Sequence, residues 1–520
     1  MPARISRFKF PILLAMLALC AMVILAISTP VGAGLANDSA AYIAGARSIL
    51  QGKGYSDIWL DSTLEPITHY PPLLSLSLAA FGLVGIDPQR GARLLEILLF
   101  GANTALLGWI GWRMTRSQAF SLWLAALFLL NTALLRVHVF AMSEGLYLAW
   151  SLTTFVCFDF YSAGRQKPVW LAAAGLATGF AFLTRYSALA LLPTFILVLF
   201  LFLKTWHVRL AATAFYLLGA LPLMAAWLVR NMLAAGNATN RTFEYHPITS
   251  ENIQPGFYNF SQFLMPVESW RQAFAKAGLW EWITAAFGLA LLLWLAARAW
   301  RMLSQPREES SRSLSLTTGV YAFGYLGAVL FSMSFFDAST KFQPRILAPL
   351  YVCFLVLLVG LGAWMWQKRQ RALQSVVVLL VAASLAFSAY DSSQTVTEFK
   401  AAGQGYASWK WHDSQVMASL RALPAGTAIY TNSPPAVYLV TGRPSRVLPT
   451  PIDPVDNHAR GDYEQNVSRM RADLLSGKAV LALFDSSNLE DALGTQNVEA
   501  QTTGLAILLK AQGDIIYGKP

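Results

Sequence analysis

Asp38 stands in the stretch GLANDSAAYIAGARSILQGKGYSDIW, a few residues after a long apolar run ends and where the chain is leaving a bilayer. A carboxylate there has two physical uses. It can cap a helix, because Asp, Asn and Ser are all preferred at helix N-termini and a negative charge suits the positive end of the dipole. It can instead take a proton from a substrate or hold a hard cation. A helix opening at Asn37, Asp38 or Ser39 would carry Tyr42, Ile43, Ala46, Ile49 and Leu50 on one stripe and stop at Gly52 and Gly54, so the spacing predicts an amphipathic helix at the membrane surface. Glu144, after Ser143, reads either as a first-turn residue or as a second carboxylate with chemistry to do. Lys341 and Arg345 in KFQPR are cations that can bind a phosphate or merely anchor a helix end, and His69 beside Tyr70 is a lone imidazole in a polar loop. Arg47, about 180° around the helix from Asp38, reads as snorkelling to lipid phosphate, and Arg185 and Arg230 read as interfacial anchors. Asp159 lies inside an apolar run, where exposure to lipid is costly, and is expected to face other helices.

The elements that must position these residues are membrane helices. Of 520 residues, 55% are hydrophobic and 13% charged, with mean hydropathy +0.46, too little polar surface for a soluble globule. The net charge of +11 comes from short basic clusters between apolar runs, which excludes a nucleic-acid face. Cys20, Cys157 and Cys353 are scattered through apolar runs and suit neither a disulfide framework nor a metal site. Apolar runs near 10–29, 92–112, 119–135, 139–161, 169–184, 187–203, 210–229, 279–297, 314–336, 346–366 and 375–390 predict about eleven transmembrane helices. Arg4, Arg7 and Lys9, then Arg113 and Arg116, Arg165 and Lys167, Lys204 and Arg209, Arg298, Arg301, Arg307 and Arg312, and finally Lys368, Arg369 and Arg371 then all fall on one side. The positive-inside rule makes that side cytoplasmic. PPLLSLSLAAFGLVGID is too short to span without inverting this pattern and is expected to lie in the interface. The N-terminal run is long for a cleaved signal and reads as an uncleaved first span.

With that parity the outer side receives a first loop at 30–91, a second long loop at 230–277, a short loop at 337–345 and the tail. The division is a transmembrane domain over 1–390 and an extracytoplasmic domain over 391–520. In the tail, TAIYTN, PAVYLVTG, SRVLPT and AVLALFD read as short strands, YEQNVSRMRADLLSG as a polar helix and LAILLKAQGDIIYG as a hairpin. That is a small α/β domain without a Gly-rich phosphate loop or a metal-spaced ligand cluster. The sequence assigns it no chemistry.

NDSAAYIAGARSILQGKGY, followed by ITHYPPLLSLSLAAFGLVGIDPQRGARLLEILLFG, resembles the first outer loop and second span of the GT-C glycosyltransferases. These are the superfamily of protein mannosyltransferases and aminoarabinose transferases. The residues of the pattern are Asp38, Tyr70, Pro71, Pro72, Leu73, Gly85 and Arg93, and MSEGLYLAWSLTTFVCFDFY, GLATGFAFLTRYSALALLPTFILVLF and KFQPRILAPLYVCFLVLLVG resemble later helices. The resemblance implies a multi-pass helical enzyme of a bacterial inner membrane with a C-terminal α/β domain. It implies transfer of a sugar from a polyprenyl-phosphate donor to a glycan, lipid or protein hydroxyl at the outer face.

Such a reaction needs a base for the hydroxyl and cations for the departing phosphate. By resemblance Asp38 is the base of an inverting displacement, and Arg345 with Lys341 meets the phosphate. Glu144, His69 and Tyr70 are further substrate-binding candidates. Asp38 and Glu144 would be the oxygen ligands if a divalent cation takes part. Two other classes fit the helices: a lipid or sugar flippase, and an outer-face polymerase or ligase working through Arg241, Glu244, His246 and Glu251 of the second long loop.

Overall fold

The computed structural model describes residues 2–520 except 62–63, 165–166, 240, 242, 265–267, 305–312, 338, 453–457, 487–488 and 490–494. Arg165, Arg307 and Arg312, three of the basic residues that set the expected orientation, lie outside the described residues. In chain order the helices are α1 (Pro2–Ser28), α2 (Asn37–Leu50), α3 (Leu73–Leu83), α4 (Pro88–Thr115), α5 (Gln118–Leu130), α6 (Thr132–Val139), α7 (Glu144–Ala163) and α8 (Pro168–Phe182). Then come α9 (Leu191–Phe202), α10 (Trp206–Ala235), α11 (Ser250–Leu264), α12 (Glu268–Lys276), α13 (Leu279–Ser304), α14 (Ser313–Phe335), α15 (Pro344–Gln367) and α16 (Arg371–Ala402). The chain forms two compact units. One holds residues 1–28, 94–139 and 143–400; the other holds 29–93, 140–142 and 401–520.

The first unit is the membrane body. Among the described residues seven helices, α1, α4, α10, α13, α14, α15 and α16, are long and apolar enough to cross a bilayer. The pair α5 and α6 is apolar enough to count as an eighth if taken as one span, but it is bent by 57°. The bend falls at Asn131, whose side-chain oxygen accepts a hydrogen bond from the Leu134 N–H at 3.0 Å and so starts a new helix inside an apolar run. The run at 119–135, expected as one span, is therefore broken. α8 and α9, at 15 and 12 residues, are shorter than the roughly 20 that a straight crossing needs. α13 and α16 leave most of their apolar side chains exposed, Trp282 and Leu379 among them, and a chain with such faces needs lipid around it. This is an integral membrane protein.

Small residues set the closest helix pair. Gly175 and Gly179 on α8 face Gly219 on α10. A Cβ on Gly175 would stand 1.9 Å from the Tyr216 carbonyl oxygen, and one on Gly219 would stand 2.2 Å from that of Ala172. In lipid, where apolar burial gives no drive for helices to associate, such backbone approach is how they gain contact.

The second unit is built from two distant parts of the sequence. The tail adds α17 (Trp409–His412), α18 (Gln415–Ala422), α19 (Pro434–Thr441), α20 (Tyr463–Leu475) and α21 (Thr495–Thr502) around five strands. The strands are β1 (Ala428–Thr431), β2 (Arg446–Val447), β3 (Ala479–Leu483), β4 (Ala506–Ala511) and β5 (Asp514–Gly518), in the order β2-β1-β3-β5-β4. β1 is parallel to β2 and β3, and β5 is antiparallel to β3 and β4. The expected hairpin is β4–β5, turning at Gln512 and Gly513, both with positive φ (54° and 88°). PAVYLVTG, expected as a strand, is instead α19. Pro434 and Pro435 open it, where a missing N–H costs nothing, and Gly442 closes it with φ 77°. The first loop, which the sequence groups with the spans, packs in this unit with the tail. Leu35 pairs in backbone with Gly405, whose φ is 56°, the Tyr406 hydroxyl donates to the Asn37 side chain, and Arg446 meets Asp61 at 3.1 Å.

Replacing Gly175 or Gly219 by Leu should lower the melting temperature of the detergent-solubilised protein by several degrees. The same change at Gly288 or Gly327, where a Cβ meets nothing within 4 Å, should leave it unchanged. Equal effects at all four positions would remove the close-packing account.

Candidate active site

Asp38 is the second residue of α2, not its cap. The N-cap position is Ala36, which has no side-chain oxygen, and the Ser39 hydroxyl takes over the task. It accepts from the Ala36 N–H at 2.9 Å and donates to the Ala141 carbonyl at 2.9 Å. Asp38 is therefore a first-turn residue rather than the N-cap, and its side chain is partly exposed. Tyr70 is one partner, its phenol donating to Asp38 Oδ1 at 3.0 Å. The Tyr70 ring lies edge-on to Tyr42, one turn along α2 from Asp38, at 5.2 Å and to His69 at 4.8 Å. Tyr55 donates to the Tyr70 carbonyl at 3.2 Å, holding the YPP segment from behind.

The expected surface helix is buried almost all round. Ser39 through Ala46 and Ser48 are inaccessible. Its small residues let the loop close over it: a Cβ on Gly45 would stand 2.5 Å from the Tyr55 ring. Arg47 does not snorkel. It makes two hydrogen bonds to Asp87, at 3.0 and 3.1 Å, and lies over the Tyr438 ring. Burial opposes the charge on Asp87, yet the hydrogen bonds and charge of Arg47 outweigh it and hold the carboxyl below its usual range. Arg93 of the family pattern donates to the Thr29 hydroxyl at 3.1 Å.

In the membrane body Glu144 opens α7, as its first-turn reading expects, with 2% of its surface exposed. Arg185, expected as an interfacial anchor, is its counter-ion. Its Nη1 donates to Glu144 Oε1 at 2.6 Å and to the Ser143 hydroxyl at 3.0 Å. Behind the pair lies a second buried carboxyl, Glu96 of α4, in electrostatic reach of Glu144 and also 2% exposed. It fits because residue 145 is glycine: a Cβ there would stand 2.4 Å from Glu96 Oε2. Asn103 donates to the Gly145 carbonyl at 3.0 Å and meets His138 Nε2 at 3.0 Å, while His138 Nδ1 lies 2.9 Å from the Leu134 carbonyl. These contacts fit a neutral imidazole with its proton on Nδ1. Glu96, Asn103 and His138 were missed in the sequence, where the one available signal was a lone carboxylate in LLEILLFG. Asp159 is buried against Arg113, as expected of a charge in an apolar run.

Lys341 is exposed and Arg345 half-buried, just before and inside the first turn of α15. α11 fixes this segment. Asn252 donates to the Thr340 carbonyl at 2.9 Å, its own carbonyl accepts from the Phe342 N–H at 2.9 Å, and Asn259 donates to the Phe342 carbonyl at 2.8 Å. The structure thus brings Asp38, His69 and Tyr70 together in one unit, with Glu144, Lys341 and Arg345 belonging to the other. Among the described residues no three of His, Cys, Asp and Glu gather as a metal-holding group, and Glu144 is already neutralised by Arg185.

Two tests follow from this geometry. Arg185→Met leaves a carboxylate buried without its cation and should destabilise the protein by about 3–5 kcal/mol, whereas Arg185→Met with Glu144→Gln should recover most of the loss in thermal or denaturant unfolding. Asp57 offers a pH test. Burial first, and then Glu65, raise its carboxyl to about 6 against the opposing hydrogen bond from Trp59. The folded state then holds this proton more tightly than the unfolded chain, so stability falls as pH rises through the interval from the ordinary carboxylate range to about 6. Asp57→Asn should flatten that interval; an unaltered pH profile refutes the assignment.

The comparisons with known proteins bear on the whole chain. A family model described as dolichyl-phosphate-mannose-protein mannosyltransferase matches residues 63–232. No curated protein sequence matches significantly. Among solved structures, ArnT from Cupriavidus metallidurans in the apo state aligns over 98% of both chains at 13% identity, with a TM-score of 0.59. The Archaeoglobus fulgidus oligosaccharyltransferase aligns over 97% of this chain and 73% of its own at 10% identity, TM-score 0.56. The arabinofuranosyltransferase AftD from Mycobacteria aligns over 97% of this chain and 39% of its own at 12% identity, TM-score 0.54. This chain has the fold of these structures, the architecture that the GT-C resemblance of its sequence implies.

Proposed function

We propose that the protein is a membrane glycosyltransferase that moves a sugar from a polyprenyl-phosphate carrier to an acceptor hydroxyl, with Asp38 as general base. The observation that carries the assignment of the base is the pairing of Asp38 with Tyr70: Asp38 stands in the first turn of α2, partly exposed, and the Tyr70 phenol donates to its Oδ1 at 3.0 Å. The fold supports the reaction class. One ArnT structure of the same fold is described as bound to undecaprenyl phosphate, and one oligosaccharyltransferase structure as bound to dolichol phosphate with an inhibitory peptide.

The donor is already activated, so one in-line displacement suffices. The acceptor oxygen attacks the anomeric carbon, its proton passes to Asp38, and the bond from that carbon to the phosphate oxygen breaks. The electron pair leaves on the lipid phosphate, and the anomeric configuration inverts. Lys341 and Arg345 are assigned to that phosphate, because a guanidinium at a helix end can hold it by charge-assisted hydrogen bonds. His69 and Tyr70 line the base. The orientation that suits this chemistry puts the N-terminus in the cytoplasm, and the second unit with Asp38 outside, in a bacterial inner membrane.

Asp38→Asn keeps the helix, since Ser39 caps it, but cannot take a proton. Turnover of lipid-linked sugar should fall on the order of a hundredfold or more in a folded protein. Full turnover in the Asn variant would overturn the base assignment and return the flippase and polymerase readings to consideration. Removing the charge at Arg345 should weaken donor binding by about 1.5–3 kcal/mol; unchanged affinity in Arg345→Met, Lys341→Met and their double variant would remove the phosphate assignment.

A further inference from the structure

The second unit contains a crevice of about 450 Å³, a volume within the range of small-molecule sites. Its walls come from the ends of three strands: Asn432 and Ser433 follow β1, Thr450 follows β2, and Phe484 and Asp485 follow β3. These are the carboxyl ends of the three parallel strands. The chain steps from β1 outward to β2 and then crosses back to place β3 on the other side of β1. The crevice therefore opens at the point where strand order reverses, the place where open α/β sheets bind ligands. Asn432 ties two of the walls together, donating to the Phe484 carbonyl at 2.8 Å and accepting from the Phe484 N–H at 3.0 Å.

The lining selects the class of ligand. Tyr406 and Trp411 meet edge-on at 5.1 Å, and Trp411 lies 5.2 Å from Phe484, so one side presents aromatic surface. The rest of the lining mixes the polar side chains of Asn432, Ser433 and Thr450 with apolar Val447, Leu448 and Leu489, and its formal charges, Lys410 and Asp485, cancel. A phosphate is poorly served here. The helix that opens at the crevice, α19, starts with Pro434 and Pro435, which removes two of the N–H groups that a helix N-terminus offers an anion. Aromatic faces together with hydroxyl-binding side chains, with no net charge, suit a neutral sugar ring, whose C–H face stacks and whose hydroxyls hydrogen-bond. We propose that this crevice binds a neutral saccharide. The site goes beyond the transfer reading and does not depend on it, because binding is measured without donor.

The test is saturation-transfer NMR on the full-length protein in lipid nanodiscs, offered glucose, galactose, mannose, N-acetylglucosamine or arabinose, with inorganic phosphate as the charged probe. At least one neutral sugar should receive saturation, and phosphate should not displace it. Thr450→Trp, which fills the crevice, should abolish the signal. Asp485→Asn, which keeps the left-handed backbone conformation at φ 53° while removing the charge, should weaken binding about tenfold. The Asn variant also decides the matter if the Trp variant fails to fold. Saturation of none of the sugars, a signal that survives in folded Thr450→Trp, unchanged affinity in Asp485→Asn, or displacement by phosphate would each overturn the proposal. A protein that transfers sugar normally yet shows no crevice binding would overturn this inference alone.

Discussion

The hydroxyl of Ser39 is the small group on which the candidate site depends. By accepting from Ala36 and donating to Ala141 it ends a buried helix and links the first loop to residues 140–142. A helix N-terminus always has unsatisfied N–H groups, and any nearby acidic side chain is drawn to them. With Ser39 in that position, the adjacent carboxylate need not turn inward. Asp38 is partly exposed, and the Tyr70 phenol donates to it.

Much of this was legible in the sequence. Composition fixed the solvent, the spacing of apolar runs located the helices, and the order of weak motifs matched an architecture before any contact was known. The failures have physical causes. Asp38 and Ser39 are both good caps, and only the position of Ala141, about a hundred residues along, decides between them. Arg47 and Arg185 look like anchors because a sequence shows where a charge lies, not what is packed beside it. Their partners, Asp87 and Glu144, come from distant segments. PAVYLVTG has the composition of a buried strand, and the prolines before it and the glycine after it were the better guide.

The membrane body shows how polar groups are kept in an apolar solvent. Glu144 has Arg185, Asp159 has Arg113, and the Asn103 amide nitrogen meets His138 and the Gly145 carbonyl while its oxygen is left without a partner. Gly145 contributes by lacking a side chain, which leaves room for Glu96. Small residues serve the same end between α8 and α10, where backbone rather than side chain makes the contact. In both places glycine converts a steric allowance into tight packing.

The interleaving of the second unit bears on biogenesis. Its first segment ends at Arg93 and its last begins at Ala401, so about 300 residues of membrane body are made in between. At the usual pace of synthesis the early segment waits on the order of tens of seconds for its fold partners. During that time α2, with its apolar Tyr42, Ile43 and Ala44, has no tail to cover it, and the loop around Asp38 cannot take its final form. Asp38 thus takes its final surroundings only once residues 401–520 have been made. A chain stalled before residue 401 would hold the early segment without the sheet it folds with, so the surroundings of Asp38 would not form.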